Sequence, residues 1–293
     1  MKNHFINVGN RLSKRRSRIL IPRILLLILG GLVLCWLVQK IYQWRQDSIV
    51  SSRMVYRIDH LNRMCEQSKM STAGNTMPSN YVGSLKYGTA WCGGFSSLSN
   101  SWLHRWNTGC LRTNEKCART NDGSLPAEQI TRFVILAQHP FGRLVDIFEN
   151  HIHQADERSD LFVTRMTISY KYRKGNFMPK LTFQEYINYI VERSQQAPVN
   201  VEYFFQPIHT VCSPCQYRFN AIVDASSYYY EESYVFRHFN LSNVMRPYRW
   251  LPLITEHQIA QRFANISSKQ RKALYNFYRK DFELFGYDVD KYI

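Results

Sequence analysis

One apolar run near the N-terminus, ILLLILGGLVLCWLVQ, constrains the chain more than any other feature. With residues 19–22 it gives about 20 largely apolar residues, enough for one helix across a bilayer core of about 30 Å. The cations before it, with no acid among them, are Lys2, Arg11, Lys14, Arg15, Arg16 and Arg18. The positive-inside rule then predicts a cytosolic basic tail at 1–18, a transmembrane signal anchor at 19–39 and a lumenal remainder, which is a single-pass type II topology.

Two alternatives to an anchor are weaker. A cleaved signal peptide needs a small-residue cleavage site, and the segment from Cys35 to Tyr42 offers none. A buried core helix would leave the basic flank without an explanation. We therefore expect an uncleaved membrane anchor.

The chain is strongly basic, with a formal net charge of +16. About +9 remains beyond residue 39, because the first 39 residues contain seven cations and no anions. A cationic surface attracts acidic partners, and nucleic acid is not expected in a lumenal compartment. Acidic or neutral glycans and phosphate-bearing donors remain as partners, with a merely basic soluble surface as the alternative.

Six of the seven cysteines follow the apolar run: Cys65, Cys92, Cys110, Cys117, Cys212 and Cys215. An even number in an oxidising compartment predicts disulfides, although sequence does not select the pairing. The closely spaced Cys110/Cys117 and Cys212/Cys215 are candidate pairs. Zinc is the alternative for the C-S-P-C spacing, but no second ligand pair at finger spacing accompanies it, and we expect no metal.

The region after the anchor divides into a stem and one domain. Residues 40–80 are predicted to be a stem, with the polar segment 68–80 as its flexible part. Residues 81–293 are rich in Phe, Tyr and Trp and suit one lumenal α/β domain. Asn240 and Asn265 begin Asn-x-Ser acceptors for N-glycosylation, which fits a lumenal domain.

Two segments have a strand, turn and helix pattern. The first is NYVGSL, the turn KYGT, and a segment with Trp91, Phe95, Leu98 and Trp102 at helical spacing. Such a turn directs backbone N–H groups at an anion, and Lys86 would add a positive charge, although an ordinary turn with a solvated lysine is the alternative.

The second segment begins with RFVILAQ, a continuous apolar run typical of a buried parallel strand. Pro140 then suits a first helical turn, and the apolar face of that helix is Phe141, Leu144, Val145, Phe148 and Ile152.

Further helices are predicted towards the C-terminus. Thr182 and Glu185 form a capping-box pattern. Residues 228–239 are predicted to be helical, and Ser267 or Ser268 begins a last helix that ends at Gly286.

Four segments, in this order, resemble elements of the Golgi carbohydrate sulfotransferases, the group that includes the chondroitin, dermatan and HNK-1 enzymes. They are HPFGRLVDIFENHI, LTFQEYINYI, VCSPCQYRFNAIV and ALYNFYRKDFELFGY. The resemblance implies a P-loop-kinase-like α/β core, with a central parallel sheet flanked by helices, behind a single transmembrane helix. It also implies Golgi localisation and transfer of a sulfuryl group from 3′-phosphoadenosine 5′-phosphosulfate (PAPS) to a glycan hydroxyl.

The family's 5′-phosphosulfate loop, P-K-x-G-C-T-x-W, is similar to the segment from Leu85 to Trp91, which is one residue shorter. By this resemblance Lys86 contacts the phosphosulfate and offsets charge on the leaving phosphate, as a catalytic and donor-binding residue. The other donor-binding candidates in this loop are Tyr87, Gly88, Thr89 and Ala90.

The 3′-phosphate element departs further from the family pattern. Pro140, Phe141 and Arg143 are kept, with Leu144 and Val145, whereas the family's first arginine falls on Gln138, its acid on His139 and its serine on Asp146. A carboxylate near a phosphate repels it, so Asp146 argues against ordinary donor binding, while a protonated His139 would supply some of the missing charge.

No residue inherits the role of general base by position. The family's His-Trp pair reads Phe204-Phe205, and its Tyr-Asp pair reads Phe219-Asn220. His139 and His209 are candidate bases.

Two alternatives to a sulfotransferase stay open. One is a catalytically inactive relative that binds glycans or partner enzymes. The other is a glycosyltransferase, for which Asp288 and Asp290 could hold Mn²⁺.

Overall fold

The computed structural model describes residues 5–68, 80–113, 118–119, 127–174, 181–248 and 251–292. The chain forms two compact units, Met1–Ser51 and Ser52–Ile293. Helix α1, Phe5–Gln67, begins in the first unit and ends in the second. The strands and the helices after α1 all belong to the larger unit.

The anchor predicted at 19–39 lies within α1, where side chains are described only from Ile28 onward. Over the part of the chain that the structure describes, no helix has the length and apolar character needed to cross a membrane. The anchor therefore stays a prediction.

The stem prediction differs from the structure over residues 52–67. These residues are helical and belong to the larger compact unit. Leu61 is buried in the core beside the sheet, and Cys65 is disulfide-bonded to Cys215. The sequence analysis missed this helix because most of its residues are polar and only a narrow face of it is buried. Residues 69–79 of the predicted stem lie outside the described residues.

The sheet has five strands in the order β3-β1-β2-β4-β5. They are β1 Val82–Ser84, β2 Thr89–Gly93, β3 Ala118–Arg119, β4 Arg132–Ala137 and β5 Ala221–Asp224. Strands β2, β4 and β5 are parallel, whereas β1 is antiparallel to both β2 and β3. The expected α/β core is present, but the sheet is mixed and only its β2-β4-β5 half is parallel.

The helices after α1 pack around this sheet. They are α2 Ser97–Thr113, α3 Pro140–Ile147, α4 Asp160–Arg173, α5 Phe183–Gln196, α6 Ile208–Cys212, α7 Tyr228–His238, α8 Glu256–Phe263 and α9 Ser268–Phe285. The predicted capping box of α5 is confirmed, since Thr182 and Glu185 bond each other's backbone reciprocally. Ser267 caps α9, and Gly286 ends it in the left-handed conformation, both as predicted.

The prediction that the KYGT turn leads from a strand into a helix is wrong. This turn joins the two antiparallel strands β1 and β2. Gly88 N–H donates to the carbonyl of Leu85 at 3.0 Å, closing a hairpin between β1 and β2. The helix starts six residues later than Trp91, at Ser97. Trp91 is a buried strand residue, and its apolar neighbours matched helical spacing by chance. The second predicted strand, turn and helix pattern is confirmed, because β4 leads into α3.

The cysteine pairing differs from the expectation for the C-S-P-C segment. Cys212 bonds Cys92 of β2, and Cys215 bonds Cys65 of α1. Helix α6 ends at Cys212, and Ser213 in the left-handed conformation turns the chain, so the two sulfurs point to different partners. Both disulfides also rule out zinc at these two cysteines. Cys110 is disulfide-bonded, whereas Cys117 lies outside the described residues.

Candidate functional site

Three parallel strands end at one edge of the sheet, where α/β folds bind their ligands. Residues 94–96 connect β2 to α2, Gln138 and His139 connect β4 to α3, and residues 225–227 connect β5 to α7. We call this the carboxyl edge. The three connections lie next to one another along this edge, because β4 pairs with both β2 and β5.

The connection from β2 to α2 approaches α3 very closely. A Cβ atom on Gly94 would lie 2.7 Å from Nη1 of Arg143 and 2.9 Å from Cγ1 of Ile208, so any other residue there would displace these side chains. Ser96 Oγ accepts a hydrogen bond from Ser99 N–H at 3.2 Å and caps the first turn of α2. Sequence reasoning missed this junction, although Gly93-Gly94 followed by Ser96-Ser97 after an apolar strand is a signal for it.

Asp146 of α3 reaches the N-terminus of α2. Its carboxylate accepts hydrogen bonds from the backbone N–H of Ser97 at 2.7 Å and from the Ser97 hydroxyl at 2.6 Å. The Asn150 amide donates a third bond at 2.7 Å, and Asp146 is 1% exposed. The N-terminus of a helix attracts an anion, and here the chain itself provides one.

Arg143 is the one cation in the predicted 3′-phosphate element, and both of its terminal nitrogens bond to backbone carbonyls, whereas its buried Nε has no acceptor among the described residues. Nη2 donates to the Gln206 carbonyl at 2.7 Å and Nη1 to the Phe204 carbonyl at 3.4 Å. The guanidinium also lies 5.6 Å from the ring centre of Tyr278. Arg143 is 1% exposed, so it ties α3 to the segment before α6 rather than facing a cavity.

His139 caps α3 and does not supply the positive charge that the sequence suggested. Its Nδ1 accepts from Gly142 N–H at 3.4 Å, so Nε2 carries the proton and donates to the Asp288 carbonyl at 3.3 Å. Burial lowers the pKa of His139 below its usual value and favours the neutral ring. Pro140 and Phe141 follow in the buried first turn, with Phe141 stacked on Phe263 at 4.7 Å.

A cavity of about 420 Å³ opens at the ends of β4 and β5, and we call it the β4–β5 cavity. Gln138, His139 and Tyr287 line it, together with Asp224, which accepts a hydrogen bond from the Tyr287 hydroxyl at 2.6 Å. The charged groups that line it are the acids Asp224, Glu256 and Asp288 and the base Lys291. Its charge is therefore negative, in contrast to the chain as a whole.

The predicted phosphosulfate loop lies at the opposite edge of the sheet. The Gly88 carbonyl accepts from the backbone N–H groups of Thr131 and Arg132, where β4 begins. Gln138 follows the other end of β4, about 20 Å away for a strand of this length. Lys86 and Tyr87 therefore do not meet the β4–α3 connection, and Thr89 and Ala90 are buried in β2.

His209 does not line the β4–β5 cavity and instead bonds a buried carboxylate, that of Asp281. Its Nδ1 lies 2.8 Å from Oδ1 of Asp281, which is fully buried and also accepts the backbone N–H groups of Ile208 and His209. Asp281 thus caps α6, and His209 lines a separate cavity of about 450 Å³.

The carboxyl edge does not fit a doubly phosphorylated sulfuryl donor in this arrangement. Such a donor needs cations and free N–H groups, whereas Asp146 holds the N-terminus of α2 and Arg143 is bonded to carbonyls. Across the described residues there is also no cluster of His, Cys, Asp or Glu suited to a metal ion. The Asp288 and Asp290 pair forms a local turn, with Asp290 N–H donating to Asp288 at 3.0 Å.

Comparison with known proteins places this geometry in context. The sulfotransferase family matches residues 94–288. Carbohydrate sulfotransferase 11 of Danio rerio is 24% identical over 167 residues, which cover 54% of this chain and 47% of that protein. The same enzyme of Rattus norvegicus is 23% identical over 167 residues, again 54% and 47%.

Carbohydrate sulfotransferase 14 of Danio rerio is 24% identical over 180 residues, covering 56% of this chain and 48% of that protein. The match thus spans about half the length of these curated relatives. No solved structure matches this chain.

Proposed function

This chain belongs to the sulfotransferase family, and from that membership we propose that it is a carbohydrate sulfotransferase that transfers a sulfuryl group to a hydroxyl of a glycan. One observation carries the proposal: the family match at 94–288 begins in the β2–α2 connection and includes all three connections at the carboxyl edge. The names of the relatives support a carbohydrate acceptor. The resemblance of four segments to the chondroitin and dermatan enzymes supports a glycan of that type or a related one.

A Golgi membrane location, with the C-terminal unit in the lumen, is part of the proposal. The basic tail and apolar run at the N-terminus support a type II anchor. Two disulfides join distant parts of the larger unit, as expected in an oxidising compartment. Asn240 and Asn265 are both exposed and remain available as predicted glycosylation sites.

The donor that the family implies is PAPS, and the carboxyl edge is where it would bind. The charges described above do not fit it while Asp146 holds Ser97. Neither histidine is proposed as the general base, because His139 caps α3 and His209 bonds Asp281.

A second candidate function is a non-catalytic relative that binds a glycan or a partner enzyme. The observation that favours it is the carboxylate of Asp146 at the N-terminus of α2, because that carboxylate and a donor phosphate would compete for the same N–H groups. This candidate keeps the fold and the glycan partner and lacks the reaction.

One experiment separates the two candidates. The full chain, purified in detergent, is incubated with sulfur-35-labelled PAPS and unsulfated chondroitin or dermatan, and incorporation of label is measured. Incorporation above that of heat-inactivated protein supports the enzyme. No incorporation into either glycan, together with no calorimetric heat on titration with 3′-phosphoadenosine 5′-phosphate, supports the non-catalytic relative and contradicts the first proposal.

A further inference from the structure

The β4–β5 cavity is acidic in a chain that is otherwise strongly basic. Its volume of about 420 Å³ is within the usual range of small-molecule sites. The carboxylates of Asp224, Glu256 and Asp288 line it, and among the described residues that line it only Lys291 carries an opposing charge. His139 supplies none, because burial lowers its pKa and favours the neutral ring. The cavity therefore attracts cations.

The two charges at the rim of the cavity neutralise each other. Nζ of Lys291 lies 3.3 Å from a carboxylate oxygen of Glu256, and both side chains are more than half exposed. The lysine is thus held by an acid of the rim. Asp224 and Asp288 remain as the negative groups that a bound cation would meet.

Asp224, the last residue of β5, keeps room for one more donor. Its carboxylate accepts from the Tyr287 hydroxyl at 2.6 Å, from the Ser226 N–H at 2.8 Å and from the Ser226 hydroxyl. A carboxylate has about four acceptor positions, so one is left. The charge of Arg57 also acts on Asp224, but Arg57 bonds Glu231 at 2.8 Å and does not line the cavity.

Gln138 is a second, independent sign of a ligand, because no described residue bonds its amide. The residue lines the cavity and is 6% exposed, and its carbonyl oxygen is enclosed without a donor. The amide nitrogen makes no hydrogen bond to a described residue either, and it is not enclosed, so it is the end that a ligand can reach. An amide nitrogen donates to a carbonyl or hydroxyl oxygen. A ligand with such an oxygen near its charge would be stabilised here.

The remaining walls suit an organic cation with a methylene chain. The rings of Tyr287 and Tyr292 pack against His139, with ring centres 5.4 and 5.0 Å from it, and Leu253 and Ile254 are half-buried neighbours. Tyrosine rings attract cations, and aliphatic side chains pack against the stem of a lysine. The acids do not form a metal site, since the described part of the chain contains no group of three suitable ligands.

We propose that the β4–β5 cavity binds a primary alkylammonium group, carried by a lysine of a peptide or by a free aliphatic amine. Asp224 and Asp288 supply the negative charge, and the tyrosines and aliphatic residues hold the methylene chain. The Gln138 amide bonds an oxygen of the ligand. This binding is a different activity from the proposed sulfuryl transfer and does not depend on it.

The test is ligand-observed saturation-transfer NMR on the full chain, in an uncharged detergent and without a sulfuryl donor. The probes are Nα-acetyl-lysinamide, the free amine aminopentanol, and Nα-acetyl-norleucinamide, which has a similar side chain without the ammonium group. We expect saturation transfer to at least one of the two amines and none to the norleucinamide. Raising the NaCl concentration from about 0.05 M to about 0.5 M should weaken amine binding at least threefold, because salt screens the carboxylates.

The charge of Asp288 is tested with a control from the same segment. Asp288→Asn should weaken amine binding about fivefold by loss of one negative charge. An asparagine oxygen still accepts the Asp290 N–H, so the local turn is kept. Asp290→Asn removes the same charge from an exposed residue that does not line the cavity, and its affinity should stay within about twofold of wild type. Lys291→Gln should strengthen binding about threefold, because it removes the opposing cation.

Three results would overturn the proposal: equal affinities in Asp288→Asn and Asp290→Asn, equal saturation transfer to the norleucinamide, or no binding of either amine. A higher affinity for the lysinamide identifies a peptide side chain as the source of the ammonium group. A higher affinity for aminopentanol identifies a free amine, and both outcomes support the site. Sulfuryl transfer is measured in a separate assay, so failure of amine binding leaves the proposed function intact.

Discussion

The carboxylate of Asp146 accepts both the backbone N–H and the hydroxyl of Ser97, at 2.7 and 2.6 Å, at the first residue of α2. The two residues are 49 positions apart in the chain, and their bonds join α3 to the N-terminus of α2. An internal anion therefore occupies the position at which the N-terminus of a helix would hold a bound phosphate.

Replacing Asp146 should strengthen anion binding, whereas replacing a residue that binds a ligand directly weakens it. In Asp146→Ser the N–H of Ser97 is released, so calorimetric titration with 3′-phosphoadenosine 5′-phosphate should show binding at least tenfold tighter than in the wild type. The lost hydrogen bonds should also reduce the free energy of unfolding by about 2 kcal/mol. Asp156→Ser, at an exposed aspartate, serves as the control. Equal affinity in wild type and Asp146→Ser would contradict this account.

Lys86 should be dispensable for ligand binding, because it lies in the β1–β2 hairpin at the far edge of the sheet. We expect Lys86→Ala to leave sulfuryl transfer and nucleotide affinity within twofold of wild type. Its effect on unfolding should be below about 0.5 kcal/mol, as is usual for an exposed surface position. A tenfold loss of affinity would show that Lys86 contacts the donor, and would contradict its placement at the edge of the sheet opposite the carboxyl edge.

The disulfide pairing can be read directly by non-reducing peptide mapping. Cross-linked peptides should contain Cys65 with Cys215 and Cys92 with Cys212, and a Cys212–Cys215 peptide should be absent. The Cys65→Ser/Cys215→Ser double variant removes a cross-link between residues 150 positions apart. It should unfold with a free energy about 3 kcal/mol lower, measured by denaturant titration.

Arg57 of α1 should be essential for stability because it neutralises a buried acid. Its Nη1 lies 2.8 Å from both carboxylate oxygens of Glu231, which has no exposed surface. Arg57→Met leaves that carboxylate without its close partner and should cost about 3 kcal/mol in thermal or chemical unfolding. Arg53 is the matched control, since it is 3.7 Å from Glu231 and more exposed, and Arg53→Met should cost less than about 1 kcal/mol. Equal costs would contradict the assignment.

Glu185 should make stability depend on pH in the acid range. Hydrogen bonding to Arg173, followed by the bonds from Thr182, lowers the pKa of Glu185 to about 2. A carboxylate with a lowered pKa stabilises the fold fully above its unfolded value near 4.5, and this stabilisation is lost as pH falls towards 2. Glu185→Gln should cost about 1 to 2 kcal/mol at pH 7.

Urea titrations at pH 7 and pH 3 measure this effect. The difference between wild type and Glu185→Gln should shrink at the lower pH, whereas Glu157→Gln, at an exposed glutamate, should show no such change. A difference that stays constant with pH would contradict the assignment to Glu185 ionisation.

Local features of the sequence were sufficient to predict several elements of the fold. The apolar run of β4, Pro140 at the start of α3, the Thr182–Glu185 box and Gly286 after α9 each act within a few residues, and the structure has all of them. The four family-like segments also predicted membership in the sulfotransferase family, which the family match confirms.

The same reasoning failed where a short motif fitted two structures. The segment around Lys86 has the composition of a strand-to-helix turn. The same residues are equally compatible with a hairpin turn in which Gly88 takes a positive φ, and this is what the structure has. Strands of three and five residues are too short for periodicity to separate them from the start of a helix.

By itself, then, the sequence determined the family, the β4–α3 unit and the caps, because each depends on neighbouring residues. The tertiary structure alone decided that Cys212 pairs with Cys92, that Asp146 meets Ser97, and that Lys86 lies far from Gln138. These contacts join residues that are distant in the chain, and only the order and direction of strands in the sheet bring them together or keep them apart.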